Sequence, residues 1–283
     1  MSALAELDTA PQTIEPTVNY LVNDGTEVFT YTGGPGSLDV RSGGKQDPHK
    51  VVMHNGRPHV NEFKLDVGGF RFVRHETKVQ NFLDEAEIKR VYYPEMEALI
   101  KAESGAKRVV VFDHTLRTAD DALREQQKIR EVVRRAHNDY TERSGPQRVR
   151  DLFPGPEAEA LLGHRFAVIN VWKPIRGRVE ESPLGVCDAR TIGPGDLVPT
   201  DLRYRDRVGE VYSMRFNPAH RWFYYSHMGA AEAMLLKCFD SDAARARFTA
   251  HTAFDDPTSA PDAPARESIE VRTLAFFAAD ERG

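Results

Sequence analysis

Between residues 166 and 277 the chain is a succession of short apolar, β-branched and aromatic runs separated by turn residues, and this succession most narrows what it can fold into. The runs cover 166–172, 210–216, 221–225, 233–239, 248–254 and 267–277. Strands of this length, each with a face to bury and with Gly, Pro, Asn or Asp between them, close into a barrel or stack as a double-sheet jelly roll. The expected class is mainly β with flanking helices.

Upstream, residues 83–103 carry apolar positions at helical spacing behind Asp84, a suitable N-cap. Residues 108–112 then read as a buried strand. The charged stretch 119–135 reads as a helix or an excursion over a site mouth. The chain should be extended from Ala136 and helical again over 146–162. Gly33 to Gly36 and Ser42 to Gly44 punctuate a loop-rich segment without the spacing of a phosphate-binding loop. Residues 1–15, rich in Ala, Thr and Pro, are expected to be a flexible tail before a single domain over 16–283.

Three separated fragments carry the chemistry. In an extended segment residues i and i+2 project to the same face, so His137 and Asp139 of His137-Asn138-Asp139 can reach one ion. Read alone, they are equally a surface pair beside Tyr140 and Thr141. His251 adds a second imidazole from a strand pattern. Two imidazoles and one carboxylate on one side of an ion leave the opposite positions open, the ligand set of a mononuclear non-haem Fe(II) oxygenase.

The third fragment opens the last strand. Arg266, Ser268, Glu270 and Arg272 share one face there by period two. A planar guanidinium grips a carboxylate through two parallel hydrogen bonds, and 2-oxoglutarate offers such a carboxylate. Arg266 has the better spacing from His251, with the Ser268 hydroxyl as a second donor; Arg272, deeper in the strand, is the substitute. His220, which follows a proline turn, reads as structural or substrate-facing. Asp255 and Asp256 precede Pro257 and read as turn residues.

With these residues in place, the chain resembles the AsaB-type hydroxylase/desaturase family, whose members are also labelled cephem-methoxylase-related or gibberellin-desaturase-like. The matching stretches are Phe112-Asp-His-Thr-Leu-Arg117, Ala136-His-Asn-Asp-Tyr-Thr141, Ile169-Asn-Val-Trp-Lys-Pro174, Ser182-Pro-Leu-Gly-Val-Cys-Asp188, Asn217 to Tyr225, Lys237-Cys-Phe-Asp-Ser241, and His251 through Arg272. The resemblance implies a double-stranded β-helix (cupin-like jelly roll) that uses Fe(II), 2-oxoglutarate and O2. It implies hydroxylation, desaturation or ring closure of a small metabolite in specialised metabolism, with succinate and CO2 as coproducts. It assigns His137, Asp139 and His251 as iron ligands and Arg266 or Arg272 as the carboxylate anchor. Softer roles follow: Asn170 hydrogen-bonding to 2-oxoglutarate, Trp172 forming an apolar wall or simply core, and His114 and Arg117 approaching substrate. Arg117 would suit a substrate carboxylate, or else sit in a surface ion pair.

Composition narrows the alternatives. A net charge of −5 argues against nucleic acid as partner, because phosphate recognition needs a basic surface. No run approaches the roughly 20 apolar residues of a spanning helix. The N-terminus lacks a basic region followed by an apolar one, so a cytoplasmic protein acting on a small molecule is expected. Cys187 and Cys238 have no metal-finger spacing and read as buried thiols. A methyltransferase would need an early glycine-rich turn and alternating helices and strands, which are missing. A non-catalytic jelly-roll binding protein and a cupin-like metal site without cosubstrate are the other rivals; the latter leaves Arg266 without a task. The sequence does not encode oligomeric state or substrate identity in readable form.

Overall fold

The computed structural model describes residues 10–22, 24–33, 39–127 and 129–278. The amino-terminal part contributes β1 (Thr13–Ile14), β2 (Thr17–Val22), β3 (Phe29–Thr32), β4 (Val40–Ser42), β5 (Lys45–Lys50), β6 (Met53–Asn55) and β7 (Phe70–Arg74). Then come α1 (Glu85–Glu87), a π-helical turn over Ile88–Tyr92, α2 (Tyr93–Ser104), β8 (Arg108–Thr118), α3 (Asp121–Gln127), β9 (Arg130–Glu131) and β10 (His137–Asn138). The remainder is α4 (Ser144–Leu152), α5 (Gly155–Leu162), β11 (Phe166–Pro174), β12 (Leu184–Cys187), β13 (Leu197–Arg203), β14 (Val208–Met214), β15 (Trp222–Tyr224), β16 (Glu232–Asp240), β17 (His251–Ala253) and β18 (Glu267–Phe276).

Two sheets face each other in a double-stranded β-helix. One runs β7-β16-β11-β18-β8-β9; the other runs β1-β6-β15-β12-β17-β10-β14-β13-β3-β4. Every residue of β11 is buried, because this central strand is covered on both faces. Its Phe166, Val168 and Trp172 pack between the sheets with Val186 and Phe223 of the opposite one. Its Ala167, Ile169 and Val171 pack outward against Tyr92, Met96 and Ile100. Asp84 caps the helical stretch as expected, accepting from Ala86 N at 2.9 Å and Glu87 N at 3.2 Å. The π turn precedes Pro94, which has no N–H to offer the carbonyl four residues back. Gly105 closes α2 with φ 78°, where a left-handed residue is required.

Two expectations are corrected. Thr13 and Ile14 pair with His54 and Met53, and Ile14 is buried, so the tail does not extend to residue 15; residues 1–9 lie outside the described ones. Residues 34–36 of the glycine-rich segment also lie outside them. The helix expected over 146–162 is two helices, because Pro154 starts a new one. The stretch 119–135, read as a helix or an excursion, holds the short α3 and β9 among its described residues. With long antiparallel ladders and helices on the outside, the described residues do not form the alternating parallel architecture of a methyltransferase. Among the described residues no helix is long and apolar enough to cross a membrane.

Candidate active site

His137 and His251 are direct cross-strand partners on β10 and β17, so both side chains leave the sheet on the same side. Their ring centroids lie 4.5 Å apart. Asp139 follows at the bend after β10, with Oδ1 3.4 Å from His137 Nε2. One ligand atom from each of the three lies within 4.8 Å of the others.

Both imidazoles are oriented by the same local device. His137 Nδ1 is 2.8 Å from the Arg135 carbonyl and His251 Nδ1 is 3.1 Å from the Thr249 carbonyl, two residues back in each case. Each Nδ1–H donates to that oxygen, which leaves the Nε2 lone pair for an ion. Burial, then the neighbouring His137, push His251 toward the neutral form that can coordinate. Burial works against the Asp139 carboxylate, but Arg272 and the two histidines hold its pKa well below the usual range. This donor set fits a ferrous ion with vacant positions.

The same cavity is lined by Arg117, Trp172, Leu184, Arg266 and Glu270. Arg266 is 4% exposed, with its guanidinium carbon 5.3 Å from the Trp172 ring centroid. One of its terminal nitrogens donates to the Ser182 carbonyl, but Nε has no hydrogen-bond partner among the described residues, nor has the buried Ser268 hydroxyl. Burial, together with Arg117 and Arg134, pushes the Arg266 pKa down to about 9. It is therefore a buried cation, still charged at neutral pH, beside two further cations and with a donor to spare. Glu181 and Glu270 lie near enough to favour its charge but neither is paired with it among the described residues, so a ligand carboxylate could bind it directly.

Arg272 is differently placed. Its Nε reaches Asp139 Oδ2 at 3.3 Å, one terminal nitrogen reaches Asp113 and Thr115 at 3.1 and 3.0 Å, and the other reaches Glu270 at 3.0 Å. Asn170 donates to Asp139 Oδ2 at 2.8 Å and to Glu270 Oε1 at 3.1 Å, which uses both of its N–H groups. In this arrangement neither side chain is free to grip a carboxylate of 2-oxoglutarate. Trp172 is both cavity wall and core, as its place in the inter-sheet cluster shows.

His114 does not approach the cavity. It opposes Val271, and its Nδ1 is 2.8 Å from Tyr93 Oη on the α2 side of the sheet. Arg117, three residues on, opposes Ser268 and lines the cavity. Alternation along β8 forbids both from facing the same way. His220 is structural, with Nε2 3.0 Å from Asp196 and its ring stacked on Tyr20 at 5.7 Å.

Sequence reasoning missed Ser182 and Arg134. Ser182 has φ 47°, a left-handed conformation unusual for serine; its carbonyl meets Arg266 and its hydroxyl accepts from Arg134 at 2.8 Å. Only the Ser-Pro pair hinted at a special turn there.

The comparisons agree with this geometry. A family model described as Oxidoreductase/YMDC permease-like domain matches residues 18–276. The Fe(II)/2-oxoglutarate-dependent dioxygenase nvfI of Aspergillus novofumigatus is 34% identical over 236 residues, 81% of this chain and 84% of that protein. The hydroxylase/desaturase efuI of Hormonema carpetanum is 32% identical over 297 residues, 94% of this chain and 97% of its own length. Among solved structures, the iron and alpha-ketoglutarate-dependent endoperoxidase NvfI superposes with a TM-score of 0.82 at 30% identity, covering 95% of this chain and all of that one. Likeness of this extent, over nearly the whole length and in both sequence and fold, means that the chain belongs to the family of that matching model and is an Fe(II)/2-oxoglutarate-dependent dioxygenase of the hydroxylase/desaturase group.

Proposed function

We propose that the chain oxidises a small carboxylate-bearing metabolite of specialised metabolism by hydroxylation, desaturation or ring closure. Iron is held by His137, Asp139 and His251, 2-oxoglutarate by Arg266 with Ser268, and substrate faces Arg117 and Trp172. The observation that carries this reading is the convergence of three metal donors, two of them lining the cavity, beside a buried guanidinium whose Nε has no partner among the described residues. When bound, iron and 2-oxoglutarate supply the oxidising chemistry from O2, with succinate and CO2 released.

The chain's own residues do the positioning. The Arg135 and Thr249 carbonyls fix which imidazole nitrogen is presented. Arg266 fixes the distal end of the cosubstrate by a charge-assisted pair and Ser268 adds a hydroxyl donor. Trp172 and Leu184 give the cavity apolar walls that keep water from competing there. Arg117 lies near Glu270 and its charge is disfavoured by burial, so an anionic substrate group would offset that cost. A cytoplasmic setting is the compartment that suits two buried, unpaired cysteines, and the partner is a small molecule, not nucleic acid.

The test is anaerobic titration of Fe(II)-loaded protein with 2-oxoglutarate. A visible charge-transfer band should grow in, and air should then release succinate. Absence of both the band and succinate would reject the reading.

A further inference from the structure

Asp139 is gripped by one oxygen only. Oδ2 accepts from Asn170 and Arg272, whereas Oδ1 points to His137. The two donors belong to a closed ring. Asn170 on β11 directly opposes Arg272 on β18, and both reach Glu270, two residues along the same face, at 3.1 and 3.0 Å. Asn170 is fully buried and Glu270 is 6% exposed, and Glu270 lines the cavity. The orientation of the amide is dictated by its surroundings, since turning it over would aim its oxygen at two carboxylates.

We propose that Asn170, Arg272 and Glu270 form a clamp that makes Asp139 a one-oxygen iron ligand. This rests on the iron-site reading above. A carboxylate swinging freely about its last bond can present both oxygens to a metal and occupy an extra coordination position. With Oδ2 held by an amide and a guanidinium, Oδ1 is the oxygen that Asp139 would offer to an ion. Glu270 completes the device: it takes the second N–H of Asn170 and a terminal nitrogen of Arg272, so neither donor can turn away from Asp139. These three are positioning residues, acting on the metal through Asp139.

The experiment uses Co(II) as a spectroscopic stand-in for Fe(II), added to the full chain. Asn170→Ala removes the amide donor while leaving every charge in place, and Arg272→Lys keeps the cation but cannot span the same acceptors. Both should bind Co(II) about 10- to 100-fold more weakly than the parent, the range typical of lost outer-shell partners, with an altered visible d–d spectrum. The dissociation constant of 2-oxoglutarate on metal-saturated protein should stay within about threefold, since Arg266 is untouched. Should Arg272→Lys fail to fold, Asn170→Ala decides alone. Parent-like affinity and spectrum in Asn170→Ala would overturn the clamp, as would unchanged metal binding with collapsed 2-oxoglutarate affinity. If Co(II) binding to the parent is insensitive to His251→Ala, the iron-site reading fails first and the clamp falls with it.

Discussion

Replacing Arg266 by methionine separates cosubstrate binding from metal binding and from stability. The side chain is 4% exposed, and burial with Arg117 and Arg134 nearby brings its pKa from 12.5 to about 9. At roughly 1.4 kcal/mol per pH unit, holding that charge costs the protein a few kcal/mol, since Glu181 and Glu270 offset the burial only in part. The variant keeps most of the apolar contact with Trp172 but loses the bond to the Ser182 carbonyl, worth about 1 kcal/mol. The metal-free variant should therefore be no less stable than the parent by urea unfolding. Its 2-oxoglutarate affinity should fall sharply, because a buried charge-assisted carboxylate pair is worth about 2–5 kcal/mol, roughly 30- to several-thousand-fold. Titration of the anaerobic Fe(II) protein, followed by its visible absorbance, measures that loss. Saturating 2-oxoglutarate should raise the thermal midpoint of the parent and leave the variant unmoved. Parent-like 2-oxoglutarate binding in Arg266→Met, with loss of binding in Arg117→Met instead, would refute the assignment.

Other outcomes follow from the packing. Asn138, fully buried between His137 and Asp139 in the sequence, bonds the Tyr140 and Cys238 carbonyls and the Thr249 N–H. Asn138→Ala should cost about 2–4 kcal/mol in urea unfolding and weaken metal binding in the same protein. Lys173 is buried with Nζ 2.6 Å from the His75 carbonyl, and burial lowers its pKa to about 8. The folded protein thus sheds this proton before the unfolded chain does, so its penalty, up to about 3 kcal/mol, is present below pH 8 and relaxes between about pH 8 and 10.5. The stability difference between the parent and Lys173→Met should rise with pH across that window and stay flat below it. A Cβ at Gly145 would meet the Phe239 ring at 2.8 Å, whereas one at Gly155 meets nothing within 4 Å. Gly145→Ala should cost about 1–3 kcal/mol and Gly155→Ala should gain about 0.4–1, both read from denaturant midpoints.

What could be read from the sequence was what local pattern determines. The mostly apolar, β-branched run of β11 announced a strand, and Asp84 announced a helix start. Period two on β18 placed Ser268, Glu270 and Arg272 on one side. The choice between Arg266 and Arg272 was not readable, because it depends on acceptors brought from β8 and from the bend after β10, far away in the chain. The orientation of His114 was hidden by the run Val109 to Phe112, whose alternation has no polar marker. There Phe112 is an extra residue in the ladder, since Arg272 opposes Asp113 and Thr273 opposes Val111. The strand β12 was missed for a related reason. It is four residues long and contains Gly185, and it exists because β15 and β17 flank it.

The two candidate imidazole donors sit on two of the shortest described strands, two residues in β10 and three in β17. Such strands have almost no ladder of their own, so their position is imposed by neighbours: the seven-residue β14 beside β10 and β12 beside β17. Asn138 adds a tie across to β16 in the opposite sheet. Short strands held in this way place His137 against His251 with little freedom to slide, since a shift of one residue would turn either imidazole to the opposite face. The second sheet contributes the chemistry that the first lacks. From β11 and β18 come the amide and guanidinium that fix Asp139, and the approach to β18 brings Arg266. The three candidate donors thus come from one sheet and the side chains that hold Asp139 from the other, which is why the H-x-D fragment, read alone, could not be told from a surface pair.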